Sequence, residues 1–174
     1  MRTRRAVCSL IPASVLPLAG CADTIPTRES DGSDDRRREI LTRYDDGIAA
    51  RNDGTETRDA GINLFNAEEY ADAIDEMETA LDRFETAAEE FETATDVAAE
   101  LDAEAVEAIC ADAAENTRMQ IEATEAGLAA TQAANEGEDA DTINDHVMAY
   151  QELLEEAEAY PIAEGETLAE ELEF

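Results

Sequence analysis

The sequence predicts an all-α protein made of antiparallel helical hairpins with long amphipathic helices, and three observations carry that prediction. From Tyr70 to Ala98, apolar or small residues recur at alternating spacings of four and three: Tyr70, Ile74, Met77, Leu81, Phe84, Ala88, Phe91, Thr95 and Ala98. That spacing lays them along one stripe of a single helix. No Gly or Pro interrupts Ala67 to Glu100, so the helix can run unbroken for about 50 Å at ~1.5 Å per residue. No stretch alternates apolar and polar residues with the period of a strand. The 174 residues suffice for one domain with a modest core.

Taken in order, residues 1–20 have the three parts of an export signal: a basic start, an apolar run from Ala6 to Leu18, and small residues before Cys21. The run is too short to span a bilayer as a helix and contains Pro12 and Pro17. Residues 21–33 read as a polar, aperiodic tether. Arg36-Arg37-Arg38 is the only basic cluster after Cys21. It suits either contact with anionic headgroups or a helix start in which Asp34 pairs with Arg38.

The helical domain is expected over 34–162. Its first helix covers about 35–52, with Ile40, Leu41, Tyr44 and Ile48 on one face, and stops at Asn52-Asp53-Gly54. A second segment covers 55–66, and a turn near residue 66 leads into the long helix. Asp102 breaks the pattern. A third long helix, about 103–134, presents Val106, Cys110, Ala113, Thr117, Ile121 and Leu128, a thinner and more polar face than the stripe it must meet. Asn135-Glu136-Gly137 is a stop. The last main helix, 140–160, carries Ile143, Val147, Tyr150, Leu154 and Ala157, and Pro161 ends it. Residues 163–174 read as an acidic tail with a short turn over Thr167–Phe174.

All 45 acidic residues follow Cys21, against nine of the 12 basic residues, which gives that segment a net charge of −36. Every basic residue is Arg. Such acidity excludes nucleic acid as a partner and fits either a disordered chain or a folded surface adapted to molar salt. The regular Leu, Ile, Phe and Tyr spacing favours folding. In molar salt the Debye length falls to ~3 Å and self-repulsion is screened. This acidic, lysine-free, Ala- and Thr-rich composition resembles that of proteins from extremely halophilic archaea.

Leu18-Ala19-Gly20-Cys21 closely resembles the lipobox of prokaryotic lipoproteins. The resemblance implies that Cys21 is lipidated and that the protein is held on the extracytoplasmic face of the cell membrane. Arg4-Arg5 resembles the twin-arginine element of the folded-protein export route; a general secretory signal is the alternative. With Cys8 in the signal and Cys21 lipidated, Cys110 is the one remaining thiol, so no intramolecular disulfide is expected.

The stretch from Gly61 to Leu81 resembles one tetratricopeptide repeat. The resemblance implies that Gly61 allows close packing of two helices and that Tyr70 sits just past their turn. Ala73 and Ala80 would be the small residues at the crossing, with Met77 where the family usually has Phe. A fainter echo lies 69 residues on: Asn66, Glu69, Ala71, Asp72, Ile74 and Ala80 recur as Asn135, Glu138, Ala140, Asp141, Ile143 and Ala149. Two helical hairpins of related design are therefore expected.

The parts of a catalytic centre are scarce, and the chain is not expected to be an enzyme or to hold a cofactor. His146 is the only histidine. A Cys110–His146 nucleophile pair would need two residues that each lie on the apolar face of a separate helix. No paired Cys or His spacing suits a metal, and the acidic run Glu136–Asp141 lacks the ligand order of an EF-hand loop. The resulting expectation is a lipid-anchored helical interaction module, a scaffold or accessory subunit. A divalent-cation or small-solute binding lipoprotein associated with a transporter is the alternative. Because the long stripe is richer than its covering, Phe84 and Phe91 are candidates for a face that meets a protein partner or a second copy.

Overall fold

The computed structural model describes residues 32–173, and the lipobox and signal residues Arg4, Arg5, Leu18, Ala19, Gly20 and Cys21 lie outside them. Five helices and no strand occur among the described residues: α1 (Ser33–Asn66), α2 (Tyr70–Glu100), α3 (Glu104–Glu136), α4 (Ala140–Ala157) and α5 (Gly165–Glu171). Each of α1, α2 and α3 packs antiparallel on the helix that follows it, as the all-α hairpin reading requires.

The segments expected over 35–52 and 55–66 are one helix of 34 residues. Gly54 does not end it, because Gly47, Gly54 and Gly61 form sockets rather than stops. They recur every seven residues and face Phe91, Phe84 and Met77, which recur every seven residues in the opposite direction. A Cβ at Gly47 would lie 2.7 Å from Phe91 Cε1, one at Gly54 3.0 Å from Phe84 Cδ1, and one at Gly61 3.3 Å from Met77 Cε. A glycine inside a helix costs about 1 kcal/mol, whereas burying a large apolar side chain contributes ~1.5–3 kcal/mol. The balance keeps the helix intact. By the same register Ile40 falls opposite Ala98, and both are fully buried.

The buried surface of α2 is rotated slightly from the predicted stripe. Met77, Phe84, Phe91 and Ala98 are buried as expected, but the fully buried flank beside them is Ala73, Ala80, Ala87 and Ala94. Tyr70, Ile74, Leu81 and Thr95 are half-buried. Alanine on this flank lets α1 approach closely, and the Ala73 carbonyl oxygen would lie 3.4 Å from a Cβ at Gly61.

Three short turns share one geometry. After α1, α2 and α3 the chain places Glu68 (φ 63), Asp102 (φ 53) and Gly137 (φ 73) in the left-handed region. The next amide then reaches back five residues, Glu69 to Leu64, Ala103 to Ala98 and Glu138 to Ala133, at 2.9–3.1 Å. This is the paired-bond helix stop usually built on glycine. Asp139 then caps α4, accepting from the amides of Asp141 (3.1 Å) and Thr142 (3.0 Å), and those bonds hold its carboxyl below its ordinary pKa.

Residues 163–173 of the acidic tail pack onto the bundle. Within them α5 inserts Leu168 and Leu172 into the main core beside Ile40, Tyr44, Val106 and Cys110. The Tyr44 hydroxyl donates to the Ala163 carbonyl at 2.9 Å. The core at the end of the bundle near Ser33 is therefore drawn from α1, α2, α3 and the α5 segment. Arg36 pairs there with Glu39 and with Glu100 of α2, Arg37 with Asp34, and Arg38 with Asp35 rather than with the expected Asp34, because the pairs within α1 close at a spacing of three residues and not four.

Candidate functional site

The opposite end of the bundle is hollow. There α4 lies close to α3 but does not approach α1 along its backbone, and the space between them is a cavity of about 260 Å³. Its walls are Ile62 and Phe65 of α1, Met77 of α2 and Val147 and Tyr150 of α4, over a floor of Gly127 and Ala130 on α3. The polar residues at its margin are Asn66, Thr131 and Gln151, and the Thr131 hydroxyl already donates to the Gly127 carbonyl at 2.8 Å. Gly127 keeps the floor low: a Cβ there would sit 3.4 Å from Tyr150 Cδ2 and 3.7 Å from Met77 Cε.

One turn before Ile62 on the same face of α1 stands Arg58, 6 % exposed. Its guanidinium carbon lies 5.4 Å from the ring centre of Phe84 and 5.8 Å from that of Tyr150, both within cation–π range. Nη1 donates to Gln120 Oε1 at 2.5 Å, while Nε is buried and has no hydrogen-bond partner. Two turns earlier Arg51 Nε donates to Asn116 Oδ1 at 3.2 Å. The Asn116 amide in turn donates to the carbonyls of Ala157 and Tyr160, each at 2.9 Å, and so closes the end of α4. Burial, then the nearby charge of Arg58, lowers the pKa of Arg51. Among the described residues neither Arg51 nor Arg58 has a carboxylate within ion-pair distance, whereas Arg43 pairs with Glu90 at 2.9 Å and Arg118 with Glu92 at 3.1 Å. A strongly acidic chain thus keeps an unneutralised basic column inside its bundle.

The residues singled out from the sequence fall into separate groups. Gly61, Ala73 and Met77 meet at the α1–α2 crossing, Ala80 is buried on the same flank, and Tyr70 packs against Phe65 with ring centres 5.7 Å apart. Helices of 34 and 31 residues each approach the length of a whole tetratricopeptide unit, about 34 residues for a pair of helices. Phe84 and Phe91 do not form an outward face. Both are fully buried, because the glycines of α1 admit their rings and Tyr44 packs edge-on to Phe91 at 5.2 Å. Cys110 is also fully buried, and burial pushes its thiol up to about 12, which removes it as a nucleophile near neutrality. Among the described residues no group of three or more His, Cys, Asp or Glu is placed to hold a metal ion.

Sequence reasoning passed over Arg51 and Arg58. Their signal was present: they continue the seven-residue spacing from Tyr44 to Phe65 on the inner face of α1, and a base on an apolar stripe is unexpected where bases are scarce. Fold and site together define a class, an antiparallel helical bundle with a lateral cavity beside a buried cation. No family model matches the chain, nor does any curated protein or solved structure.

Proposed function

We propose that this protein is a lipid-anchored, extracytoplasmic helical binding module that holds a small, largely apolar solute between α1, α3 and α4. The single observation that supports the reading is the apolar cavity of about 260 Å³ with a few polar groups at its margin, the usual constitution of a small-ligand site. An engineered apolar cavity of ~150 Å³ takes up benzene, so the space here suits a ligand on the order of eight to ten heavy atoms. Anchoring would come from Cys21, and a membrane transporter that receives the solute is the natural protein partner.

A scaffold role has less to draw on. Met148, at 66 % exposure, is the one large apolar side chain standing free among the described residues, so a protein contact would have to be made through charge in molar salt, where charge is screened. Binding is tested by titrating 1-octanol into the protein in molar KCl. Saturable uptake at one site per chain is expected, and Gly127→Leu, which grows a side chain into the cavity, should abolish it. Absence of saturable uptake by the unaltered protein overturns the solute-binding reading.

A further inference from the structure

Resting on that reading, the geometry points to a specific ligand class: we infer that the solute is a monocarboxylate with a short apolar body, its head group received by Arg58 and its body lying in the cavity. The cavity walls alone would not distinguish an alcohol from an acid. What distinguishes them is the charge set against the Tyr150 wall, where Arg58 stands over the ring just outside the cavity's own lining. Arg58 is buried, shares Tyr150 with the cavity wall, and stands one helical turn from Ile62. Among the described residues it has no carboxylate partner, in a chain with 45 acidic residues. An isolated buried charge is costly, and a counter-ion delivered to it removes that cost.

The buried donor and the apolar walls together narrow the head group. One buried donor of the guanidinium, Nε–H, is unpartnered, while Nη1 is already held by Gln120. A carboxylate oxygen can accept from that donor. A phosphate would bring further charged oxygens against walls of Ile, Phe, Met and Val, which offer them nothing. Arg51, two turns away and likewise without a carboxylate, adds to the positive field, and the two arginines disfavour each other. A cationic ligand would meet that repulsion, although the protein as a whole attracts cations. Molar salt screens surface charges far more than this enclosed one, so the selectivity survives where the protein is folded.

Octanoate and 1-octanol share an eight-carbon chain and differ in the head group, which makes them the deciding pair. Calorimetric titration of the full chain in molar KCl should show octanoate binding roughly 10- to 100-fold tighter than 1-octanol, the range expected for a charge-assisted hydrogen bond. Arg58→Met should bring the two ligands to equal affinity. The comparison on the unaltered protein stands by itself if Arg58→Met does not fold. Equal binding of both ligands by the unaltered protein overturns the carboxylate assignment and leaves solute binding in place. Failure of both to bind overturns the two together.

Discussion

Replacing Gly47 by Ala is the most direct test of how α1 and α2 are joined. In an exposed helix the change would stabilise by about 1 kcal/mol, because alanine restricts the unfolded chain and favours the helix. Here the new Cβ would lie 2.7, 2.8 and 3.0 Å from Cε1, Cδ1 and Cζ of Phe91, closer than carbon atoms pack. The ring cannot simply withdraw, since Tyr44 lies edge-on to it at 5.2 Å and is itself fully buried. Overpacking of this kind costs ~1–3 kcal/mol, and this contact belongs at the upper end. The net expectation is a loss of about 1–2 kcal/mol, or roughly 3–8 °C of Tm for a domain of this size. Gly127→Ala supplies the contrast: its Cβ would make ordinary contacts at 3.4 and 3.7 Å, so it should gain up to about 1 kcal/mol. Urea and thermal melts in molar KCl measure both. A Gly47→Ala protein as stable as the parent would refute the socket arrangement.

Other expectations can be checked with the same material. Glu68→Gly and Asp102→Gly relieve left-handed backbone at φ 63 and 53 and should each raise stability by about 0.5–1 kcal/mol, read from urea midpoints. Alkali should unfold the protein: the folded pKa of Cys110 rises from 9.0 to about 12 and that of Tyr44 from 10.0 to about 12. Stability is therefore full below pH 9 and falls as the unfolded chain ionises first between pH 9 and 12, and a flat profile over that window would contradict their burial. Helical circular dichroism should fade on dilution from molar salt as the Debye length grows from ~3 Å to ~30 Å; a salt-independent signal would contradict the halophilic reading. Cys21→Ser should release the protein from membranes, since stable anchoring needs lipid. Equal membrane recovery of parent and variant would remove the lipobox assignment.

The helical class and most helix ends were legible because periodicity and turn residues speak through local physics. Asn135-Glu136-Gly137 announces its stop. The turns at Glu68 and Asp102 are built on the same backbone without glycine, so only the change of pattern around them gave them away. Gly54 misled for the opposite reason: a glycine reads as a helix end until the ring opposite it is known. The alanine flank of α2 was similarly hidden, since Ala87 or Ala94 is equally a good helix former and a close-packing surface. The cavity was not legible at all. It arises from α4 standing away from α1 while Gly127 carries no side chain to fill the gap, and both are properties of four helices together.

The large-and-small pairing between α1 and α2 also acts as a vernier. Three rungs place a glycine of α1 against a bulky residue of α2, but at the fourth the sizes exchange, with Ile40 on α1 opposite Ala98 on α2. A repeat of seven would otherwise let one helix slide along the other by two turns and find equivalent seats. In this chain a slip one way drives Ile40 against Phe91, and a slip the other way sets only Ala98 against Gly47 and leaves that socket empty. Each error is of the kind that costs kilocalories in a packed core. The exchange at the last rung therefore gives a sequence rich in near-identical Ala, Glu and Thr turns a single alignment to settle into, and it does so through local hairpin contacts that form early in folding.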